Sequence, residues 1–72
     1  MESILDRIVE LFKLRGAPEE VVKQLERVLD LWRKHELDNE DVYNWIIGAS
    51  WNYKIPLTPR EVVEIRRALL GE

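Results

Sequence analysis

The groups from which a catalytic centre would be assembled are few. His35 is the one histidine in the chain, and the only serines are Ser3 and Ser50. A nucleophilic hydroxyl needs a base beside it and a third group to orient that base. Gly48-Ala49-Ser50-Trp51-Asn52 opens like the G-x-S-x-G nucleophile elbow, but Asn52 stands where the second glycine belongs. The stretch also has helical patterning instead of a strand-to-helix turn. Ser50 is therefore expected to be a small residue easing a helix contact. His35 is expected to be a surface partner for the negative end of a helix.

Metal binding fares no better. Glu36, Asp38, Glu40 and Asp41 are close in sequence, but a calcium loop needs alternating oxygen ligands, a glycine at its sixth position and a glutamate at its twelfth. Counted from Asp38, the fifth residue is Val42 and the sixth Tyr43. The chain has no cysteine, which excludes disulfides and thiolate-bound zinc. Glu19/Glu20 and Glu40/Asp41 are adjacent carboxylates, each pair placed in the first turn of an expected helix, where negative charge meets the positive dipole end. Gly16, Gly48 and Gly71 are too far apart to cradle a phosphate. The expectation is no enzyme: no catalytic residue, no cofactor-binding residue and no metal ligand.

Two binding readings remain. Arg60 and Arg67 face outward on the last expected helix, as on a recognition helix. Glu61 and Glu64 share that helix, however, and the formal net charge is -3, with 11 Lys+Arg against 14 Asp+Glu. Electrostatic nucleic-acid binding wants the opposite balance. The aromatics Tyr43, Trp45, Trp51 and Tyr53 crowd one segment. Their first reading is core, since so short a chain needs most of its apolar groups inside. Their second is a protein-contact surface, with Tyr43, Trp51 and Tyr53 as candidate interface residues, because Trp and Tyr are enriched at binding hot spots.

Four segments with helical periodicity carry these residues, over about 2–15, 18–35, 39–52 and 59–70. The first has Ser3 and Asp6 at capping distance, a Leu5, Ile8, Phe12 stripe, and Gly16 to take the left-handed position after its end. The second starts with Pro18 at the first helical position. Its seam is Val21, Leu25, Val28 and Trp32, widened by Val22 and Leu29, with Glu19–Lys23 and Asp30–Lys34 as i, i+4 ion pairs. The third follows Asp38 as N-cap, with Leu37 and Val42 spaced as a hydrophobic staple. It is apolar nearly all round, so it is expected against at least two other helices, with Gly48 and Ala49 at a close crossing and a kink or stop near Gly48. Lys54 to Leu57 reads as extended, because the residue before Pro56 avoids the α region. Thr58, Pro59 and Glu61 then supply N-cap, N1 proline and N3 acid, with Leu57 and Val62 as a second staple. No alternating strand pattern occurs.

At 72 residues, 46% hydrophobic and 35% charged, the chain has the composition of one globular domain. No apolar run approaches a membrane span, and the N-terminus has neither a signal peptide's basic start nor its apolar stretch, so no compartment is marked. The fold expected is all-α: a compact, irregular four-helix domain over residues 1–72 with short loops, soluble and monomeric, requiring no partner, nucleic acid or membrane.

The turn Gly16-Ala17-Pro18-Glu19-Glu20, the staple Leu37-Asp38-Asn39-Glu40-Asp41-Val42 and the start Leu57-Thr58-Pro59-Arg60-Glu61-Val62 are similar to the loop-and-cap vocabulary of computationally designed helical mini-proteins. Val21-Val22-Lys23-Gln24-Leu25-Glu26-Arg27-Val28-Leu29 resembles their amphipathic helices. The three tryptophans, the scarcity of alanine and the irregular stretch from Gly48 to Pro56 depart from that style. The resemblance implies a stable helical domain made for its fold, without biochemical activity. The alternative is a small protein-interaction module using the aromatic third helix.

Overall fold

The protein, seen in a computed structural model that describes residues 3–71, is built of four helices: α1 (Ile4–Leu14), α2 (Glu19–Arg33), α3 (Asn39–Asn52) and α4 (Pro59–Leu70). No strand occurs among the described residues. Residue 2, where the first helix was expected to begin, lies outside them.

Local sequence explains most helix starts. Ser3 has the extended backbone of an N-cap, and its N–H donates to the Asp6 carboxylate at 3.0 Å. Thr58 and Glu61 complete a capping box: the Glu61 N–H donates to Thr58 Oγ1 at 3.1 Å, and the Thr58 N–H donates to Glu61 Oε1 at 2.9 Å. Two expectations shift. Pro18 is the N-cap of α2 and not its first helical residue, because its ψ of 148° is extended; its carbonyl accepts from the Val21 and Val22 N–H groups. Asp38 holds the N-cap position of α3, but its carboxylate makes no capping bond.

Three helices end in the same way. In each, the third residue after the helix donates its N–H to the carbonyl five residues back: Ala17 to Phe12, Glu36 to Leu31 and Ile55 to Ser50, at 2.8–2.9 Å. This bond requires a left-handed residue just before the donor. Gly16 supplies it at φ +86°, as the sequence suggests. His35 (φ +62°) and Lys54 (φ +55°) supply it in the other two turns, although both carry a Cβ. His35 therefore lies beyond α2, which ends at Arg33, and does not close the helix from within it.

Each helix packs on two neighbours, in the cycle α1–α2–α3–α4–α1, while the diagonal pairs make no close backbone approach. The envelope is nearly isotropic at 27 × 25 × 23 Å, unlike a straight coiled-coil bundle. One core gathers Ile4, Leu5, Ile8 and Phe12 from α1, Val21, Leu25 and Leu29 from α2, Val42, Ile46 and Ala49 from α3, Ile65 and Leu69 from α4, and Ile55 from the last connection. The centre of α2 is turned from the expected seam toward Val22 and Leu29, leaving Val28 and Trp32 half-buried. As expected, α3 meets two helices and Ala49 is buried. Gly48 has no such role: a Cβ there would meet nothing within 4 Å, and the helix continues past it to Asn52.

Candidate functional site

The chain leaves α3 through a turn that shapes the most developed hollow of the surface. Lys54, left-handed, reverses the backbone. Ile55 drops into the core at 3% exposure, and Pro56, Leu57, Thr58 and Pro59 carry the chain onto α4. Between the end of α3 and the start of α4 lies an open groove of about 470 Å³, walled by Ile47, Trp51, Pro56, Leu57, Pro59 and Val62. Ser50 lies beneath it, and its hydroxyl donates to the Ile47 carbonyl at 2.8 Å, so its polar atom is satisfied locally. Trp51 is 80% exposed. It follows Val42 by nine residues, two and a half helical turns, which sets it opposite the buried line of α3.

The far side of the same connection is polar. Arg15, at the end of α1, donates to the Pro56 carbonyl at 2.8 Å and grips the Glu61 carboxylate with both guanidinium nitrogens, at 2.6 and 2.8 Å. These bonds, with help from the Thr58 N–H, pull the Glu61 carboxyl down from 4.5 to about 2 against the opposing effect of its partial burial. The same hydrogen bond raises Arg15 above its ordinary value. Glu61 thus serves as the helix-capping acid and as the partner of an arginine 46 residues away.

The residues weighed for catalysis do not converge. His35 borders a smaller hollow of about 210 Å³ with Trp32, Leu37, Asp38 and Asn39, at the α2–α3 turn, whereas Ser50 belongs to the groove. In that turn the Trp32 indole N–H donates to the Asn39 side-chain oxygen at 2.6 Å. Glu36, Asp38, Glu40 and Asp41 are all exposed, and no group of three or more metal-capable side chains occurs among the described residues.

Nor do the candidate interface residues share one surface. Tyr43 is half-buried with the Arg66 guanidinium 5.7 Å from its ring centre. Tyr53, half exposed, caps α3 beside Gln24, Trp45 and Asn52, on the flank toward α2. Only Trp51 enters the groove. The expectation that these aromatics fill the core fails for Trp51 and Tyr53 and holds only in part for Tyr43 and Trp45, which are half-buried against it. Aliphatic side chains and Phe12 already occupy the interior, so the aromatics are left to its margins.

Sequence reading missed the groove walls Leu57, Val62 and Ile47 as partners of Trp51. Leu57 and Val62 have the spacing of a staple, and the two prolines around Leu57 mark a rigid connection. The sign that this staple stays partly open lies in the exposed tryptophan, which periodicity places on the outer side.

Comparison with protein-family models, with curated proteins and with solved structures finds no match. The functional reading therefore rests on this geometry alone.

Proposed function

We propose that the chain is a self-standing, monomeric helical domain with no catalytic activity of its own, composed de novo for its fold. The observation that carries this reading is the agreement between local signals and tertiary structure. Helix ends are closed by nearby backbone or side-chain groups, and no buried side-chain polar atom among the described residues lacks a partner. Such consistency across levels is what idealised sequences are built to have. The test is thermal unfolding followed together in the far and near ultraviolet. One cooperative transition, above the roughly 45–65 °C of ordinary mesophile domains, is the expected result. A state that binds a hydrophobic dye and has lost its near-ultraviolet signal would overturn the reading.

A second reading, a protein-interaction module, is favoured by one specific observation: Trp51, 80% exposed, stands in an apolar groove beside Leu57 and Val62. An aromatic in such a setting is the usual anchor of a binding hot spot. Its emission tests the setting. The spectral component removed by Trp51→Phe should be red, as for an indole in water, and a blue component would place Trp51 under cover and remove the basis of this reading.

A further inference from the structure

Two of the three connections between helices are closed to helix continuation by their own residues. Pro18 would lie inside a fused α1–α2 helix, and Pro56 and Pro59 inside a fused α3–α4 helix. An interior proline removes a donor and strikes the carbonyl four residues back. Residues 34–38, between α2 and α3, carry no such block, and from residue 19 to residue 47 the chain has neither glycine nor proline. Lys34, Glu36 and Leu37 are acceptable helix formers. Yet the connection holds His35 at φ +62°, and Asp38 gives the first turn of α3 no side-chain cap. Lys54 bears the same left-handed strain, but the prolines after it forbid relief by helix. Continued as helix, residues 34–38 would free His35 and give the first N–H groups of α3 the carbonyls four residues behind them. Holding the turn closed are the Glu36 N–H bond to the Leu31 carbonyl and the Trp32 indole bond to Asn39.

We propose that this turn is a hinge through which the chain exchanges halves with a second copy of itself. In the exchanged form α2 and α3 fuse into one helix over residues 19–52, about 50 Å long. The α1–α2 half of each copy then packs on the α3–α4 half of the other. The cyclic packing makes the exchange complete: α1 on α2 and α3 on α4 stay within a chain, while α2 on α3 and α4 on α1 are rebuilt between chains from the same residues. The bidentate Arg15–Glu61 pair and the Arg7–Glu64 pair span the rebuilt seam of α1 and α4 and become ties between copies. Only the turn differs, so the balance between the two forms lies in residues 34–38 and in protein concentration. The monomer is the form of dilute solution. Exchange requires the two halves to part, so the dimer arises on refolding from a concentrated solution.

The experiment refolds the intact protein from urea at about 1 mM and reads its size by sedimentation and X-ray scattering. A dimer is expected, elongated well beyond the 27 Å longest extent of the monomer. His35 is exposed, so substitution there acts through the backbone. His35→Ala favours the helical hinge and His35→Gly the left-handed turn, and the dissociation constants of the two dimers should differ by about a hundredfold or more. Arg15→Glu and Glu61→Arg each set like charges together within a monomer. Refolded as a mixture, they should form a one-to-one dimer, in which one lobe regains the native pair and the other a reversed pair. Trp51→Ala should leave the dimer unchanged. Added salt should raise its yield, because two chains of net charge -3 repel. Wild type and His35→Ala that both stay monomeric at this concentration would overturn the inference and leave the reading as a monomeric domain standing. A dimer that His35→Gly leaves as tight as His35→Ala does, that Trp51→Ala abolishes, or that the mixed charge variants fail to form would overturn it too.

Discussion

The two sides of the connection between α3 and α4 are built on opposite principles. On one side Arg15 ties the Pro56 carbonyl and both Glu61 oxygens into a partly buried polar knot that joins the end of α1 to the start of α4. On the other side Trp51, Leu57 and Val62 present apolar surface with nothing laid over it. A polar knot of this kind fixes geometry more than it adds burial, because a bidentate pair is directional while apolar contact is not. The contrast shows how a six-residue connection is held still from one side so that the other keeps a defined, open shape.

The largest expected effect tests whether the core, and not the knot, anchors that connection. Ile55 is buried at 3% exposure beneath it. Ile55→Ala should cost about 2–5 kcal/mol of unfolding free energy in urea titration. A cost below about 1 kcal/mol would mean the connection is held by its polar side alone.

Next comes the knot itself. Glu61→Gln removes the charge that Arg15 grips and should cost about 1–3 kcal/mol near neutral pH. The folded-state carboxyl sits at about 2, below its ordinary 4.5, so its contribution is complete above about pH 5 and disappears as pH falls through about 2. Urea midpoints of wild type and Glu61→Gln should therefore converge on acidification across that window. A gap that persists at pH 2 would show that the pair stabilises through packing and not through charge.

A smaller effect, of the opposite sign, belongs to the turn that opens the groove. Lys54→Gly relieves a left-handed residue and should stabilise by about 0.5–1 kcal/mol net of the added freedom of the unfolded chain. Gly16→Ala, in the equivalent turn after α1, should destabilise by about 1 kcal/mol. Thermal midpoints moving in opposite directions would establish that the two turns are equivalent. The smallest effect is at the open side: Trp51→Ala should change stability by no more than about 0.5 kcal/mol, since an exposed side chain has little burial to lose.

The parts of this molecule legible in the sequence are those encoded within a few residues. Thr58, Pro59 and Glu61 announce the start of α4, and Gly16 announces the end of α1, because their conformational preferences act locally. Glu19–Lys23 and Asp30–Lys34 likewise pair as their spacing requires, at 3.7 and 3.1 Å. The turns at His35 and Lys54 were not legible, since neither residue prefers the left-handed region; the surrounding packing imposes it, with Ile55 drawn into the core directly after Lys54. The Arg15–Glu61 pair left no trace either, because each partner already had a sufficient local explanation, one at a helix C-terminus and the other in a capping box. The aromatic surface was misread for a volumetric reason: composition says how much apolar material must be inside, but not that leucine, isoleucine, valine and one phenylalanine would suffice.

The cyclic order of the helices also bears on how the chain reaches its folded state. Three of the four interfaces join helices that follow one another along the chain, and only α4 on α1 closes the circle. Neighbour contacts form after short loop closures, whereas the final seam must bring together residues as far apart as Arg15 and Glu61. Assembly is thus expected to proceed at the microsecond-to-millisecond rates of chains dominated by local contacts. The closing seam forms last and opens first, and in stopped-flow kinetics breaking its polar knot should accelerate unfolding while leaving the folding rate nearly unchanged.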